Sequence, residues 1–168
     1  DFRPVVFVIG ILLAILAIMM CIPATIDYFA GHQDWEVFTL SASITLFAGV
    51  GMALTSYSKG PKLSIRQAFI MTTASWVSLT FFASIPFHFS QLDLSFTDSM
   101  FESMSGLTTT GSTVITNLDF QPSGILIWRA LLQWLGGIGI IVMAISILPM
   151  LKVGGMQLFR IESSDQSG

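Results

Sequence analysis

Four stretches of this sequence contain no Asp, Glu, Lys or Arg, and each is long enough to cross a lipid bilayer. They are residues 4–26, 37–58, 67–92 and 130–151. A membrane-spanning helix needs about 20 predominantly apolar residues. A backbone surrounded by hydrocarbon must satisfy its own hydrogen bonds, which a helix does within one segment. The sequence therefore predicts an all-α integral membrane protein with four transmembrane helices.

Composition excludes the soluble classes of protein. Charged residues make up only 10% of the chain and apolar residues 53%, whereas a soluble domain carries about 25% charged residues. A disordered chain, a nucleic-acid-binding protein and an ordinary cytosolic enzyme domain are all incompatible with these proportions. The sequence contains neither a Ser-His-Asp order nor a pair of intramembrane acids that would indicate hydrolysis. We therefore predict that the chain is not an enzyme.

The basic residues lie in alternate segments between the predicted helices. Loops 24–36 and 90–124 contain acidic residues but no Lys or Arg. Because basic residues concentrate on the cytoplasmic side of a membrane, we predict that both ends of this chain are cytoplasmic and that these two loops face outward. Six of the seven basic residues support this orientation: Arg3, Lys59, Lys62, Arg66, Lys152 and Arg160.

Proline and tryptophan suggest where the helices end. Pro23 follows the first predicted helix, and Pro86 and Pro149 lie late in the third and fourth. A proline costs little near a helix end compared with one in the middle. Trp35 and Trp128 are expected in the aromatic belt at the outer membrane surface.

The long outer loop contains the signature of a short helix. Ser95 and Asp98 fit a capping box, so a helix is predicted to begin near Phe96. Gly106 and the threonines after it are expected to end the helix after about a dozen residues, which at 1.5 Å per residue is under 20 Å. That length is too short to cross a hydrocarbon core of about 30 Å. A half-length helix between two full helices, followed by an extended polar segment, predicts a re-entrant pore loop made of a half-helix and a selectivity-filter strand.

The polar segment that follows, residues 108–113 (TTTGST), has the composition of a cation filter. Such a filter replaces the hydration shell of an ion with rings of backbone carbonyls. We expect the carbonyls of Thr109, Thr110 and Gly111 to face the ion, with Ser112 at the outer edge and threonine hydroxyls as further ligands. No carboxylate lies in this segment, which favours a weakly held monovalent ion over Ca²⁺ or Mg²⁺. The alternative is a surface loop rich in Thr and Ser.

Arg129 is the only basic residue outside the predicted cytoplasmic segments. It is expected either to reach the headgroups from near the outer end of the fourth helix or to brace the pore loop by pairing with Glu102 or Asp98. These two acids are four residues apart and share a helix face. They would also raise the cation concentration at the pore mouth.

Three motifs resemble one known family. Residues 101–113 (FESMSGLTTTGST) are similar to the first selectivity-filter loop of the Trk/Ktr/HKT potassium-transporter superfamily. Residues 128–142 (WRALLQWLGGIGIIV) resemble the helix after that filter in its TrkH-like members, and residues 147–158 (ILPMLKVGGMQL) resemble the next cytoplasmic turn. The resemblance covers essentially the whole chain.

The resemblance implies a function and a set of partners. Members of the family take up K⁺ across the bacterial inner membrane as homodimers, and each chain builds one filter from four repeats of helix, pore loop and helix. They sit on a cytosolic nucleotide-binding ring, the TrkA-like regulatory subunit. By this resemblance Thr109, Thr110, Gly111 and Ser112 would bind K⁺. Two other hypotheses remain open: a homotetrameric channel, and a membrane scaffold subunit without a pore.

The resemblance also divides the chain into three parts. Residues 1–66 match the two extra N-terminal helices of the family, with a basic cytoplasmic loop. Residues 67–151 match the first repeat, and residues 152–168 lead into the remaining repeats. The chain therefore matches the extra pair and one repeat, and one filter loop is a quarter of a pore.

Overall fold

The structure, a computed structural model, describes residues 2–57 and 64–147, and these form helices without any β-strand. Four of the helices are long and apolar enough to cross a membrane. Lys59, Lys62, Pro149 and the 152–168 segment lie outside the described residues. The helices are α1 (Arg3–Ala30), α2 (Asp34–Ser56), α3 (Ile65–Phe89), α4 (Phe96–Leu107) and α5 (Ser123–Ile147), with a 3₁₀ turn at Leu118–Phe120.

Helix α1 continues past Pro23, so the predicted end at this proline is wrong. The helix has 28 residues and is about 42 Å long at 1.5 Å per residue. It is therefore longer than the hydrocarbon core of about 30 Å. A proline in a membrane helix is tolerated where neighbouring groups satisfy the carbonyl it leaves free. Helix α1 ends instead at Gly31, whose left-handed backbone (φ +75°) lets its N–H donate to the Tyr28 carbonyl.

Helices α1 and α2 form an antiparallel hairpin whose axes approach closely at two glycines. A Cβ on Gly10 would lie 2.7 Å from the Gly49 carbonyl oxygen and the Ala53 nitrogen. A Cβ on Gly49 would lie 2.8 Å from the backbone of Gly10 and Ala14. Small residues at a membrane helix crossing allow this backbone contact.

Helices α3 and α5 are the two long helices that enclose α4. Helix α3 begins with a full capping box, in which Ser64 and Gln67 satisfy each other's backbone N–H. Helix α5 begins at Ser123 directly after Pro122, several residues before the charge-free run that predicted it. Arg129 therefore lies in the second turn of α5.

The core lies where α1, α3 and α5 meet. Trp128 is fully buried there; its Nε1 donates to the Ala83 carbonyl at 3.1 Å, and its ring packs edge-to-face on Phe38. The predicted position of Trp128 in the outer aromatic belt is therefore wrong, because the indole N–H has a partner inside the protein. Trp35 is partly buried and packs edge-to-face on Tyr28.

Candidate functional site

The half-length helix α4 begins at the residue that its capping signal predicts. The Ser95 hydroxyl oxygen accepts the N–H of Asp98 at 3.1 Å, and the same hydroxyl donates to the Asp98 carboxylate at 2.7 Å. The helix has 12 residues and ends at Leu107. Its C-terminus, where unpaired carbonyls concentrate partial negative charge, leads directly into residues 108–113.

The chain leaves α4 through a turn in which four successive amide groups donate back to the last carbonyls of the helix. Thr108 donates to Met104, Thr109 to Gly106, and Thr110 and Gly111 both to Ser105, over 2.8–3.3 Å. Thr109 has φ +58° and Gly111 φ +76°, whereas Thr110 between them has no positive φ. Alternation of this kind turns successive N–H groups to one side of the chain and carbonyls to the other. Thr109 therefore shares the left-handed conformation of Gly111, although a residue with a Cβ adopts it far less readily than glycine does.

The carbonyls of this turn divide into two classes. Within the described residues, none of the carbonyls of Thr109, Thr110 and Gly111 accepts a hydrogen bond, and the three residues are exposed. The Ser112 carbonyl instead accepts the Ser105 hydroxyl at 2.6 Å. Ser112 is thus tied to α4 through its carbonyl, whereas the three residues before it are tied to α4 through their amides alone. The turn presents three successive carbonyls without a partner, and these are the oxygens that a dehydrated cation requires.

Glu102 links the half-helix to the chain beyond the turn and to α5. Its side chain is fully buried, and its Oε1 accepts the Nε–H of Arg129 in an ion pair. Its Oε2 accepts the Thr113 hydroxyl at 3.0 Å and the Val114 N–H at 3.1 Å. Of the two acids considered as partners of Arg129, the structure pairs Glu102 with it, whereas the Asp98 carboxylate accepts the hydroxyl of the N-cap residue Ser95. Sequence reasoning missed Thr113 and Val114.

Helix α5 packs closely against the C-terminal end of α4. A Cβ on Gly136 would overlap the Leu107 carbonyl, and a Cβ on Gly106 would lie 3.1 Å from the Leu132 Cβ. Leu107 and Leu132 are both buried. The last turn of α4 is therefore packed on the backbone of α5, which fixes the height of the turn relative to that helix.

Two further carboxylates are buried at the end of the α1–α2 hairpin where the two helices are joined. Asp27 accepts the Gly124 N–H at 2.7 Å, and Asp34 accepts the Gln91 N–H at 3.2 Å. Neither residue is more than 2% exposed. Sequence reasoning placed both in the outward-facing loop 24–36, because it ended α1 at Pro23 and began the second helix at residue 37. With α1 extended to Ala30, Asp27 lies inside the helix.

Comparison with known proteins identifies one family. The sequence profile described as "TrkH: Cation transport protein" matches residues 35–167. The chain is 44% identical over 164 residues to the "Trk system potassium uptake protein TrkI" of Halomonas elongata, covering 98% of this chain and 33% of that protein. It is 38% identical over 163 residues to the "Trk system potassium uptake protein TrkH" of Escherichia coli K12, covering 96% of this chain and 34% of that protein.

A solved structure has the same fold. The crystal structure of the potassium transporter TrkH from Vibrio parahaemolyticus superimposes with a TM-score of 0.82 at 37% sequence identity. The match covers 92% of this chain and 33% of that one. The chain thus spans about a third of the length of the proteins it matches.

Proposed function

The chain belongs to the TrkH family of cation transport proteins, and from this premise we propose that it supplies one of four filter loops of a potassium-uptake transporter. Its relatives are named potassium uptake proteins, not enzymes. The potassium ion is the transported substrate in this proposal. The chain's contribution is the turn after α4.

One observation carries the proposal: three free, exposed carbonyls follow the C-terminus of a half-length helix. The amides of these residues are used in hydrogen bonds to α4, so the turn is held while its carbonyls stay available to an ion. The partial negative charge at the helix end favours a cation at this position. Thr109, Thr110 and Gly111 are the backbone ligands we propose. Ser112 would act at the outer edge by holding the turn, because its carbonyl is hydrogen-bonded to Ser105.

The charges near the turn favour a weakly bound monovalent ion. No carboxylate lies among residues 108–113. The nearest buried acid is Glu102, and its charge is balanced by Arg129. Neutral carbonyls bind K⁺ loosely enough for it to leave again, which conduction requires. We assign Glu102 and Arg129 to bracing the turn, and Asp98 to the helix cap and the pore mouth.

A single turn forms one side of a filter, so the proposal requires partners. We propose that three further repeats of the same polypeptide complete the ring. The complete transporter would be a homodimer in the bacterial inner membrane, surrounded by lipid and regulated by a TrkA-like nucleotide-binding subunit. Residues 1–66 would be the extra helix pair, residues 67–151 the first repeat, and residues 152–168 the link to the next.

The charge distribution supports one orientation, with both ends of the chain in the cytoplasm and residues 90–124 outside. An impermeant thiol reagent added to intact cells should label a cysteine placed at Asp119 but not one placed at Lys62, with Cys21 replaced by Ala. Labelling at position 62 alone would reverse this assignment.

A chimera tests the function itself. This chain would replace the matching third of the Vibrio parahaemolyticus TrkH, in cells that lack other potassium uptake. We expect growth at low K⁺ and uptake of K⁺ in preference to Na⁺. Uptake is normalised to the amount of inserted protein, measured by blot. An inserted chimera that gives no K⁺ uptake contradicts the proposal. Replacing residues 108–113 with a Ser-Gly repeat should abolish uptake, whereas a scaffold without a pore would leave it unchanged.

A further inference from the structure

Asp27 lies far from the filter turn in sequence, yet it contacts the helix that braces the turn. It is fully buried near the outer end of α1, and its Oδ1 accepts the Gly124 N–H at 2.7 Å. Gly124 is the second residue of α5. The first N–H groups of a helix have no partner within the helix, and a negative charge there is favourable. Asp27 is therefore an N-terminal cap that α1 supplies to α5.

The contact depends on the absence of a side chain at position 124. A Cβ on Gly124 would overlap the carboxylate of Asp27. The glycine thus lets a carboxylate reach the backbone of α5 directly. Any larger residue would move either the carboxylate or the start of α5.

Helix α5 connects this contact to the ion pair between Arg129 and Glu102. Trp128 and Arg129 follow Gly124 by one and by less than two turns, and Trp128 is locked by its hydrogen bond to Ala83. Arg129 then pairs with Glu102, which in turn holds Val114. A helix transmits an axial shift of its first turn to the next, because its backbone hydrogen bonds link every fourth residue.

We propose that Asp27 is a positioning residue for the cation filter, setting the height of α5 and so the position of Arg129 against Glu102. The N-terminal helix pair then acts on ion discrimination without contacting the ion. This inference rests on the proposed function of the turn. It assigns to α1 a role in the filter in addition to its packing.

A contribution to stability does not by itself explain why a carboxylate is buried at position 27. Its Oδ2 is buried and has no hydrogen-bond partner among the described residues. A buried carboxylate with an unmet oxygen costs free energy, and an uncompensated buried charge destabilises a fold. Placement of α5 is a use of the carboxylate that an apolar residue cannot supply.

The test compares variants of the chimera at equal amounts of inserted protein. Asp27→Ala removes the cap, Asp27→Asn keeps an acceptor oxygen, and Gly124→Ala displaces the carboxylate without changing any charge. Glu36→Ala is the matched control, because it removes an exposed acid from the same outer end. The readout is the ratio of K⁺ to Na⁺ uptake.

We expect Asp27→Ala and Gly124→Ala each to lower this ratio at least about threefold, the scale of coupling between distant sites. Asp27→Asn should recover most of the loss, and Glu36→Ala should leave the ratio unchanged. A merely structural role would reduce inserted protein and leave the ratio per transporter unchanged, which would overturn the inference. If Asp27→Ala does not insert, the ratio of K⁺ to Na⁺ uptake in Gly124→Ala is the test: a lowered ratio supports the inference, and an unchanged ratio overturns it.

A Gly111→Val chimera measured alongside separates this inference from the proposed function. If Gly111→Val lowers the ratio and the Asp27 and Gly124 variants do not, the positioning role is wrong and the filter proposal stands. If none of the three changes either the rate of K⁺ uptake or the ratio, the filter proposal itself fails.

Discussion

The α1–α2 hairpin and the pore loop are both buried against the same long helices, but different forces hold them. Within the hairpin, α1 and α2 are held to each other by close packing, with backbone in contact at Gly10 and Gly49. The pore loop is held by hydrogen bonds and one ion pair, and its backbone adopts left-handed conformations at Thr109 and Gly111. Packing fixes a helix crossing without specifying where a carbonyl points. Directional polar contacts do specify it, and a filter requires that direction.

The largest effect is expected where the pore loop depends on charge. Glu102→Ala leaves the Arg129 guanidinium unpaired, and breaking a buried ion pair from one side costs about 3–5 kcal/mol. It also leaves the Thr113 hydroxyl and the Val114 N–H without their acceptor. We expect K⁺ uptake by the chimera to be lost or strongly reduced. Glu36→Ala is the control, since it removes an exposed acid of α2 that contacts neither Arg129 nor the turn.

A double-mutant cycle then isolates the pair. Glu102→Gln combined with Arg129→Gln should restore part of the uptake that either single variant loses, because no unpaired charge remains. Strictly additive losses would leave Arg129 as a membrane anchor only.

A somewhat smaller effect is expected in the hairpin, and of a different kind. Gly49→Leu forces a side chain into backbone of α1, and overpacking costs about 1–3 kcal/mol. We expect less inserted, protease-resistant protein, with an unchanged ratio of K⁺ to Na⁺ uptake in the molecules that insert. Gly51→Leu is the control, because a Cβ there would meet no described atom within 4 Å beyond its chain neighbours and the nearby backbone of α2. A change of ion ratio with Gly49→Leu would erase the distinction between the two regions.

The smallest effect concerns one hydrogen bond of the turn. Ser105→Ala removes the donor to the Ser112 carbonyl, a loss of about 1 kcal/mol. We expect a few-fold lower ratio of K⁺ to Na⁺ uptake, since Ser112 is no longer tied to α4. Ser103→Ala should be neutral in the same assay, because that buried hydroxyl has no partner among the described residues. Equal behaviour of the two variants would contradict the holding role of Ser105.

Sequence reasoning identified what depends on local chemistry. The absence of charge located all four long helices, and Ser95 with Asp98 located the start of α4 because a cap acts within one turn. The charge of Arg129 inside an apolar environment indicated a partner, and the spacing of Asp98 and Glu102 narrowed that partner to two residues. Each of these signals is read within a few positions along the chain.

The misses depend on contacts that are distant in sequence. A proline ends a helix only where leaving one carbonyl without its amide partner costs too much free energy. Helix α1 continues past Pro23 to Ala30, so the proline alone did not predict its end. Trp128 is buried because it contacts two other helices: its indole N–H donates to the Ala83 carbonyl, and its ring packs on Phe38. The cap from Asp27 to Gly124 spans most of the chain. The positive φ of Thr109 follows from hydrogen bonds to α4 that no local propensity predicts.

The most direct test of the account is ion discrimination by Gly111→Val in the chimeric transporter. Gly111 has φ +76°, and a β-branched residue at such an angle costs about 1–3 kcal/mol, so the turn should distort and its carbonyls should move. Gly51→Val, at a helical position with no described neighbour within 4 Å of a Cβ, serves as the matched control. The account predicts normal insertion with K⁺ uptake or the ratio of K⁺ to Na⁺ uptake reduced about tenfold, for Gly111→Val only. Unchanged rate and unchanged ratio in Gly111→Val would show that this turn is not the filter.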